Sequence, residues 1–290
     1  MPSRILSAPF VIGLLYCLYQ AWENDESYAM YIVPQVLALA VIYILQPQID
    51  WWWYKKRPPE LDPPLARMLE RFVSFYHHLN LHQKRRFRQR VVLFVMAQDF
   101  IAKGFEDVPE DVKYVIAANA VQLTFGQEEF LFPKFEHLVV YPVPFPSPQF
   151  PDRRHASELQ EEDGVLMFSA EQLMAGTFQP KRHFNIVLYE YARAFQLSYP
   201  SKAYPSYDEF IWEKLEAISG LKEAYIRAYI GLEEIDVSAI AVALFFTRPE
   251  QFKAVLPQAY GILSQIFNLD PCMREFPVVQ QKGLSDFQLS

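Results

Sequence analysis

The sequence predicts an α+β protein, in which a mostly helical domain with a small sheet follows an N-terminal two-helix transmembrane hairpin. Three observations lead to this prediction. Two long uncharged apolar runs lie near the N-terminus, short β-rich runs bounded by proline or glycine lie in the middle, and most other segments space their apolar residues as helices do. A chain of 290 residues, 51% of them hydrophobic, is long enough for one sizeable domain and an additional module.

The two apolar runs predict membrane-spanning helices at residues 5–22 and 28–45, because neither carries a charge. Each is near the minimum length for a hydrocarbon core of about 30 Å, which needs about 20 helical residues. A cleaved signal peptide or two buried soluble helices would also be apolar. The chain lacks a strongly basic start and a small-residue cleavage site, and it has two runs where a signal peptide has one.

The basic residues that flank these runs predict the orientation of the hairpin. Arg4 precedes the first run and Lys55, Lys56 and Arg57 follow the second, whereas the connecting "ENDES" has no Lys or Arg. The positive-inside rule therefore places both ends of the hairpin, and the domain that follows, in the cytoplasm. We expect an integral protein of the inner or cytoplasmic membrane, with the aromatic "WWWY" at residues 51–54 in the interfacial belt.

The proline-rich "RPPELDPP" predicts a domain boundary, since a residue that precedes proline is disfavoured in helices. We assign residues 1–57 to the hairpin, 58–64 to a linker, 65–275 to the folded domain and 276–290 to a C-terminal tail.

Apolar spacing predicts most elements of the folded domain to be helices. The predicted helices cover about 65–78 and 82–103, joined at "LNLH", then 107–126 closed by Gly126, 184–198, 207–230 broken near Gly220, and 236–252 ended by Pro249. Two strands are predicted near 137–143 and 164–169, with an irregular loop at 146–163 between them.

Charge and cysteine content limit the function. The net charge of −7 argues against a general nucleic-acid binder, which would need a basic surface. The basic "KRRFRQR" at residues 84–90 is interpreted as a helix face whose alkyl stems pack over the core, or as a segment attracted to anionic lipid. The two cysteines, Cys17 and Cys272, exclude a disulfide framework and a cysteine-based zinc site.

Four segments resemble the MtfA family of zinc metallopeptidases. They are "FYHHLNLHQKRRFRQRVVLFV", "VIAANAVQLTFG", "HLVVYP" and "FFTRPEQFKAVLPQAYGILSQIFNLDP", which occur in the family's order over about residues 65–275. The resemblance implies a zincin-like core. In that core a His-Glu-x-x-His helix supplies two zinc ligands and the general base, and a later helix supplies a glutamate as third ligand.

The stretch "NIVLYEYARAF", residues 185–195, falls where the family carries that helix. The resemblance puts Tyr189 and Arg193 at the two histidine positions, Ala243 at the third ligand and Gln196 at the family's aspartate. Arginine has no acceptor lone pair and alanine has no donor atom, so neither can bind zinc. Glu190 alone remains, at the vestigial general-base position. We therefore predict no catalytic residue and no cofactor, although the family uses zinc.

A glutamate at this position needs a cation if it is buried, because an unpaired buried charge costs several kcal/mol, on the order of 3–5. Arg193 lies three residues after Glu190, within ion-pairing reach on a helix. We predict an ion-pair cluster of Glu190 and Arg193, with Asp236 as a second carboxylate. A zinc site built from other histidines is the competing interpretation, but none of the six forms a close pair on the helix that carries Glu190: His77, His78, His82, His137, His155 and His183.

These observations predict a membrane-anchored, catalytically inactive relative of the MtfA peptidases that binds a cytoplasmic protein or peptide and no nucleic acid. An active zinc-dependent peptidase with an unorthodox metal site is the alternative. A purely structural membrane protein is a third hypothesis.

Overall fold

A computed structural model describes residues 2–272 of the chain. The chain divides after Pro59 into two compact units. The end of the predicted domain, 273–275, and the predicted tail, 276–290, lie outside the described residues.

The first unit consists of helices joined by short turns. Helix α1 spans Pro2–Glu23, a 3-10 helix spans Glu26–Tyr31, α2 spans Ile32–Ile44 and α3 spans Gln46–Lys56. The stretches Pro2–Glu23 and Glu26–Ile44 are long and apolar enough to cross a membrane, by length and composition. The backbone N–H and the hydroxyl of Ser3 donate to the two carboxylate oxygens of Asp50, at 2.8 and 3.0 Å. The start of α1 is thereby joined to α3.

The second unit is mostly helical with one small sheet, which confirms the predicted mixed architecture at this level. Its helices are α4 (Pro63–Phe72), α5 (Ser74–His77), α6 (Leu81–Ala97), α7 (Glu110–Thr124), α8 (Ala170–Phe178), α9 (Ile186–Ser198), α10 (Ile211–Ser219), α11 (Glu223–Ile230), α12 (Val237–Thr247), α13 (Pro249–Val255) and α14 (Pro257–Phe267). Helix α6 begins with a capping box, in which the side chains of Asn80 and Gln83 bond each other's backbone N–H. Gly220 ends α10 in the left-handed region, at φ 73°.

The sheet has four strands, β1 (Asp99–Ala102), β2 (His137–Tyr141), β3 (Ser157–Gln160) and β4 (Val165–Ser169). Their order is β1-β2-β4-β3, with β3 antiparallel to β4 and the other neighbours parallel. Side chains alternate between the two faces of a strand. One face carries fully buried side chains of β2 and β4, namely Leu138, Val140, Leu166 and Phe168, and on the other Val139 and Met167 pack with Phe145 in a small cluster.

Two of the elements predicted for this unit are wrong. The helix predicted to run to Lys103 ends at Ala97, and Asp99–Ala102 forms β1 against residues of β2. The loop predicted at 146–163 contains β3, which pairs with β4 through a hairpin that turns at Gly164, φ +63°. Local apolar spacing does not reveal such partners.

Two predicted helix ends also differ from the structure. Helix α7 ends at Thr124, and Gly126 is not left-handed there. A Cβ atom on Gly126 would lie 2.2 Å from the carbonyl oxygen of Asn268, so this glycine permits close approach of two backbone segments. Pro249 does not end α12, which stops at Thr247. Instead it occupies the first turn of α13, where its missing N–H costs nothing.

Candidate functional site

Helix α9 carries the predicted site residues through the core. The side chain of Asn185 caps its start by accepting from Leu188 N–H at 3.0 Å. Every residue from Ile186 to Ala192 is buried, because the helix packs against α7, α12 and β3. The first two turns of this helix therefore hold Tyr189 and Glu190 away from bulk water.

Glu190 is fully buried and both of its carboxylate oxygens are hydrogen-bonded. Arg193 Nη1 donates to Oε2 at 2.8 Å, and the hydroxyl of Ser157 on β3 donates to Oε1 at 2.8 Å. Burial raises the pKa of the Glu190 carboxyl above its ordinary value, and the charge of Arg193 and the hydroxyl of Ser157 oppose that rise. The structure thus brings Glu190 and Arg193 into direct contact.

Tyr189 faces the start of α12 and does not bind Glu190. Its hydroxyl oxygen accepts from the backbone N–H of Asp236 at 3.0 Å, and only 1% of the residue is exposed. Burial raises the pKa of the Tyr189 hydroxyl well above its ordinary value, so the phenol stays neutral. The guanidinium of Arg193 lies 5.7 Å from the centroid of the Tyr189 ring.

Asp236 uses its carboxylate mainly to cap α12. Its Oδ1 accepts from Ala239 N–H at 3.0 Å, while its charge contributes to raising the pKa of Arg193. Among residues 2–272, Glu190 is the one carboxylate within salt-bridge distance of Arg193. Asp236 therefore lies beside the predicted cluster as a helix cap and makes no ion pair in it.

Ala243 lies on α12 and is 1% exposed. The bonds that join α12 to the polar face of α9 come from its start: Asp236 N–H to Tyr189, and the hydroxyl of Ser238, which accepts from Gln196 Nε2 at 3.0 Å. Ala243 is seven residues beyond Asp236, about 10 Å along a helix. Asp236, at the start of α12, is therefore hydrogen-bonded to Tyr189, whereas Ala243 lies further along the helix.

Ser157 is a site residue that sequence reasoning missed, since its segment was predicted to be a loop. A signal was present: two short runs, "SELQ" and "VLMFS", are separated by "EEDG", and Asp-Gly between such runs is typical of a hairpin. A hairpin there would have placed Ser157 in a strand.

A second buried carboxylate lies on the neighbouring position of β3. Glu158 is 2% exposed and its Oε2 lies 2.8 Å from Nε2 of His155, itself 1% exposed. Gln160 Nε2 donates to Oε1 at 3.0 Å. Burial tends to raise the pKa of Glu158, but hydrogen bonds from His155, Ser147 and Gln160 hold that pKa below its ordinary value. The sequence alone does not distinguish His155 from the other histidines.

The other histidines are distributed over separate places. His183 Nδ1 lies 2.9 Å from the Tyr225 hydroxyl, His137 Nδ1 lies 3.2 Å from Asp99, and His78 Nδ1 lies 3.1 Å from the Ser74 carbonyl. Within the described part of the chain, no group of three or more His, Cys, Asp or Glu side chains is arranged to hold a metal ion.

The basic run at residues 84–90 is largely used in packing. The buried Arg90 donates to the carbonyls that follow α7, those of Thr124, Phe125, Gln127 and Glu128, and desolvation lowers its pKa to about 9. Arg88 donates to the Tyr76 hydroxyl, and Arg86 lies over the Phe125 ring. Of the five basic residues, Arg85 alone is exposed. These contacts favour the packing interpretation over attraction to lipid.

Comparison with known proteins adds one match. The family model described as glucose-regulated metallo-peptidase M90 matches residues 49–268. No curated protein matches the chain.

Proposed function

Because the chain belongs to the glucose-regulated metallopeptidase M90 family, we propose that it is a member without peptidase activity. In this proposal the second unit is a zincin-like core that binds a protein or peptide at the cytoplasmic face. The first unit is a transmembrane hairpin that anchors this core to the membrane.

The observation that carries the proposal is the chemistry around Glu190. Arg193 has no lone pair for a metal, and its guanidinium already neutralises Glu190 at 2.8 Å. The Tyr189 oxygen is occupied by Asp236 N–H, and Ala243 has no donor atom. These residues do not fit a zinc ion, so we assign them no step of peptide hydrolysis.

Metal content tests this proposal directly. We expect the full-length protein, purified in detergent without chelators or added metal, to contain far less than one zinc per chain and to cleave no casein. Glu190→Gln is the matched control, because loss of the vestigial base should change neither result. Near-stoichiometric zinc together with cleavage that Glu190→Gln abolishes would favour the active peptidase instead.

The membrane part of the proposal is supported by the two apolar stretches, Pro2–Glu23 and Glu26–Ile44, and by the basic residues at both ends of the unit. Reporter fusions after Glu26 and after Arg57 should report opposite sides of the membrane. Fusions that report the same side contradict the topology, and recovery of the full chain in the soluble fraction without detergent contradicts the anchoring.

The proposed binding of a protein or peptide predicts a partner that binds better when the membrane anchor is present. Crosslinking in cells that express the intact chain, compared with cells that express a chain lacking residues 1–60, should recover the same partner in lower yield from the truncated form. Absence of any specific crosslink from the intact chain would favour the purely structural role.

A further inference from the structure

A cavity of about 290 Å³ lies between α1 and α2 in the first unit. Helix α1 contributes Arg4 and Ser7 to its wall, and α2 contributes Leu39, Ile42 and Tyr43. It lies at the end of the unit where the start of α1 is bonded to α3. Its position relative to a membrane rests on the topology in the proposed function.

The wall of the cavity is divided by chemistry. One part offers hydrogen-bond donors from Arg4 and Gln46, and another is formed by the aliphatic side chains of Leu39 and Ile42. The Ser7 hydroxyl already donates to the Arg4 carbonyl at 3.0 Å. Among residues 2–272, no carboxylate lines the cavity. A ligand that matches both parts carries an anionic group next to a hydrocarbon chain, which describes a phospholipid with a negatively charged headgroup.

Arg4 is the charged group available for such a ligand. Within residues 2–272 its guanidinium makes no ion pair. Asp50, the carboxylate beside the start of α1, has both oxygens bonded to Ser3. Lys56 and Arg57 lie over the rings of Trp52 and Trp53, at 4.0 and 4.8 Å from their centroids, and neither lines the cavity.

We propose that this cavity binds one anionic phospholipid of the cytoplasmic leaflet. The phosphate lies against Arg4, since a guanidinium binds phosphate oxygens through two parallel N–H bonds. An acyl chain follows Leu39 and Ile42. The cytoplasmic leaflet is rich in anionic lipid, and the topology puts the first turn of α1 at its headgroups.

Native mass spectrometry of the full-length protein in detergent tests the site, with phosphatidylglycerol, phosphatidylcholine and inorganic phosphate as separate probes. We expect one phosphatidylglycerol to bind in preference to phosphatidylcholine, and inorganic phosphate alone to bind much more weakly because it lacks the chain. Arg4→Gln should weaken the phosphatidylglycerol complex about five-fold, the contribution of one basic side chain near anionic lipid.

Two further variants separate a defined site from diffuse attraction. Arg57→Gln removes the same charge at the same end of the unit but outside the cavity, so it should weaken binding less than two-fold. Leu39→Trp fills the aliphatic part without changing charge and should weaken binding as Arg4→Gln does. Equal losses from Arg4→Gln and Arg57→Gln, no effect of Leu39→Trp, or equal binding of both lipids would overturn the site. Recovery of the chain in the soluble fraction without detergent would instead contradict the proposed topology. This outcome is distinguishable from the loss of a lipid site in a chain that stays in the membrane.

Discussion

Glu190 and Glu158 are two buried glutamates that β3 brings into one region, yet their surroundings act on them in opposite directions. Glu190 is bonded by the permanently charged Arg193 and by one hydroxyl, and burial still raises its pKa. Glu158 is bonded by His155, Ser147 and Gln160, and these bonds outweigh burial and lower its pKa. The balance between burial and the donors that bond a carboxylate therefore decides how readily it ionises.

We expect the largest effect from substitutions that put zinc ligands in place of Tyr189, Arg193 and Ala243. We predict that Tyr189→His with Arg193→His gives no good peptidase activity, whereas adding Ala243→Glu permits zinc binding at micromolar levels, about 8 kcal/mol of binding free energy. Zinc titration of the folded variants by calorimetry measures it.

Asp236 provides the control for this prediction, because the structure joins it to Tyr189 while Ala243 lies about two turns further along α12. If the double variant binds zinc and loses it on Asp236→Asn, the assignment of Ala243 as third-ligand position is wrong. A folded triple variant that binds no zinc would contradict the expectation that α9 and α12 keep the family's ligand positions.

Removing the cation from Glu190 should have the next largest effect. Arg193→Ala strands a buried carboxylate and should lower the free energy of unfolding by about 3 to 5 kcal/mol. Arg193→Met combined with Glu190→Leu leaves no charge unpaired and should cost less than Arg193→Ala alone. Pulse proteolysis of the full-length chain in urea and mild detergent gives both values. Additive losses below about 1 kcal/mol each would describe an ordinary surface pair.

Removing one donor from Glu158 should cost less than removing Arg193, since Ser147 and Gln160 still bond that carboxylate. We expect His155→Ala to lower the free energy of unfolding by about 1 to 3 kcal/mol, the cost of a buried group that loses one bond. The same proteolysis assay measures it. A loss as large as that of Arg193→Ala would mean that the remaining donors do not compensate.

The pH dependence should have opposite signs at the two carboxylates. The pKa of Glu158 is lowered from 4.5, so its stabilisation is present above pH 4.5 and is lost as pH falls through the folded-state pKa. The pKa of Glu190 is raised from 4.5, so its favourable contribution is present below pH 4.5 and is lost as pH rises through the folded-state value. For each carboxylate, the slope of the free energy of unfolding against pH is at most about 1.4 kcal/mol per pH unit.

Variants that cannot ionise isolate these slopes. The free energy of unfolding of Glu158→Gln, relative to the unmodified chain, should rise as pH falls below 4.5. That of Glu190→Gln, relative to the unmodified chain, should rise as pH rises above 4.5. Urea midpoints between pH 3 and 8 measure both. Slopes of the same sign would contradict the difference in hydrogen bonding inferred from the structure.

The parts of the site that were predictable depend on local spacing. Glu190 and Arg193 are three residues apart on a helix with a clear apolar pattern, so their proximity follows from sequence positions alone. Ser157 is 33 residues from Glu190 and reaches it only because β3 pairs with β4. The contact between Tyr189 and Asp236 spans 47 residues and likewise needs the tertiary arrangement.

The same distinction holds for the fold. Long helices such as α7 and α9 are specified by the residues within them, whereas β1 has four residues and is fixed by its pairing with His137–Val140. Gly126 shows a related limit. A glycine after an apolar helix suggests a left-handed cap, but the backbone of Asn268, 142 residues later, explains it here.

The hydrogen bond between Tyr189 and Asp236 has a consequence for the life of the protein in the cell. Together with the bond from Gln196 to Ser238, it ties α9 to α12 with groups that the chain itself supplies. Under the proposed function, no ion has to be acquired before these helices come together. Chelators should therefore leave the folded protein intact, and its abundance should follow synthesis and degradation even when the cell is starved of zinc.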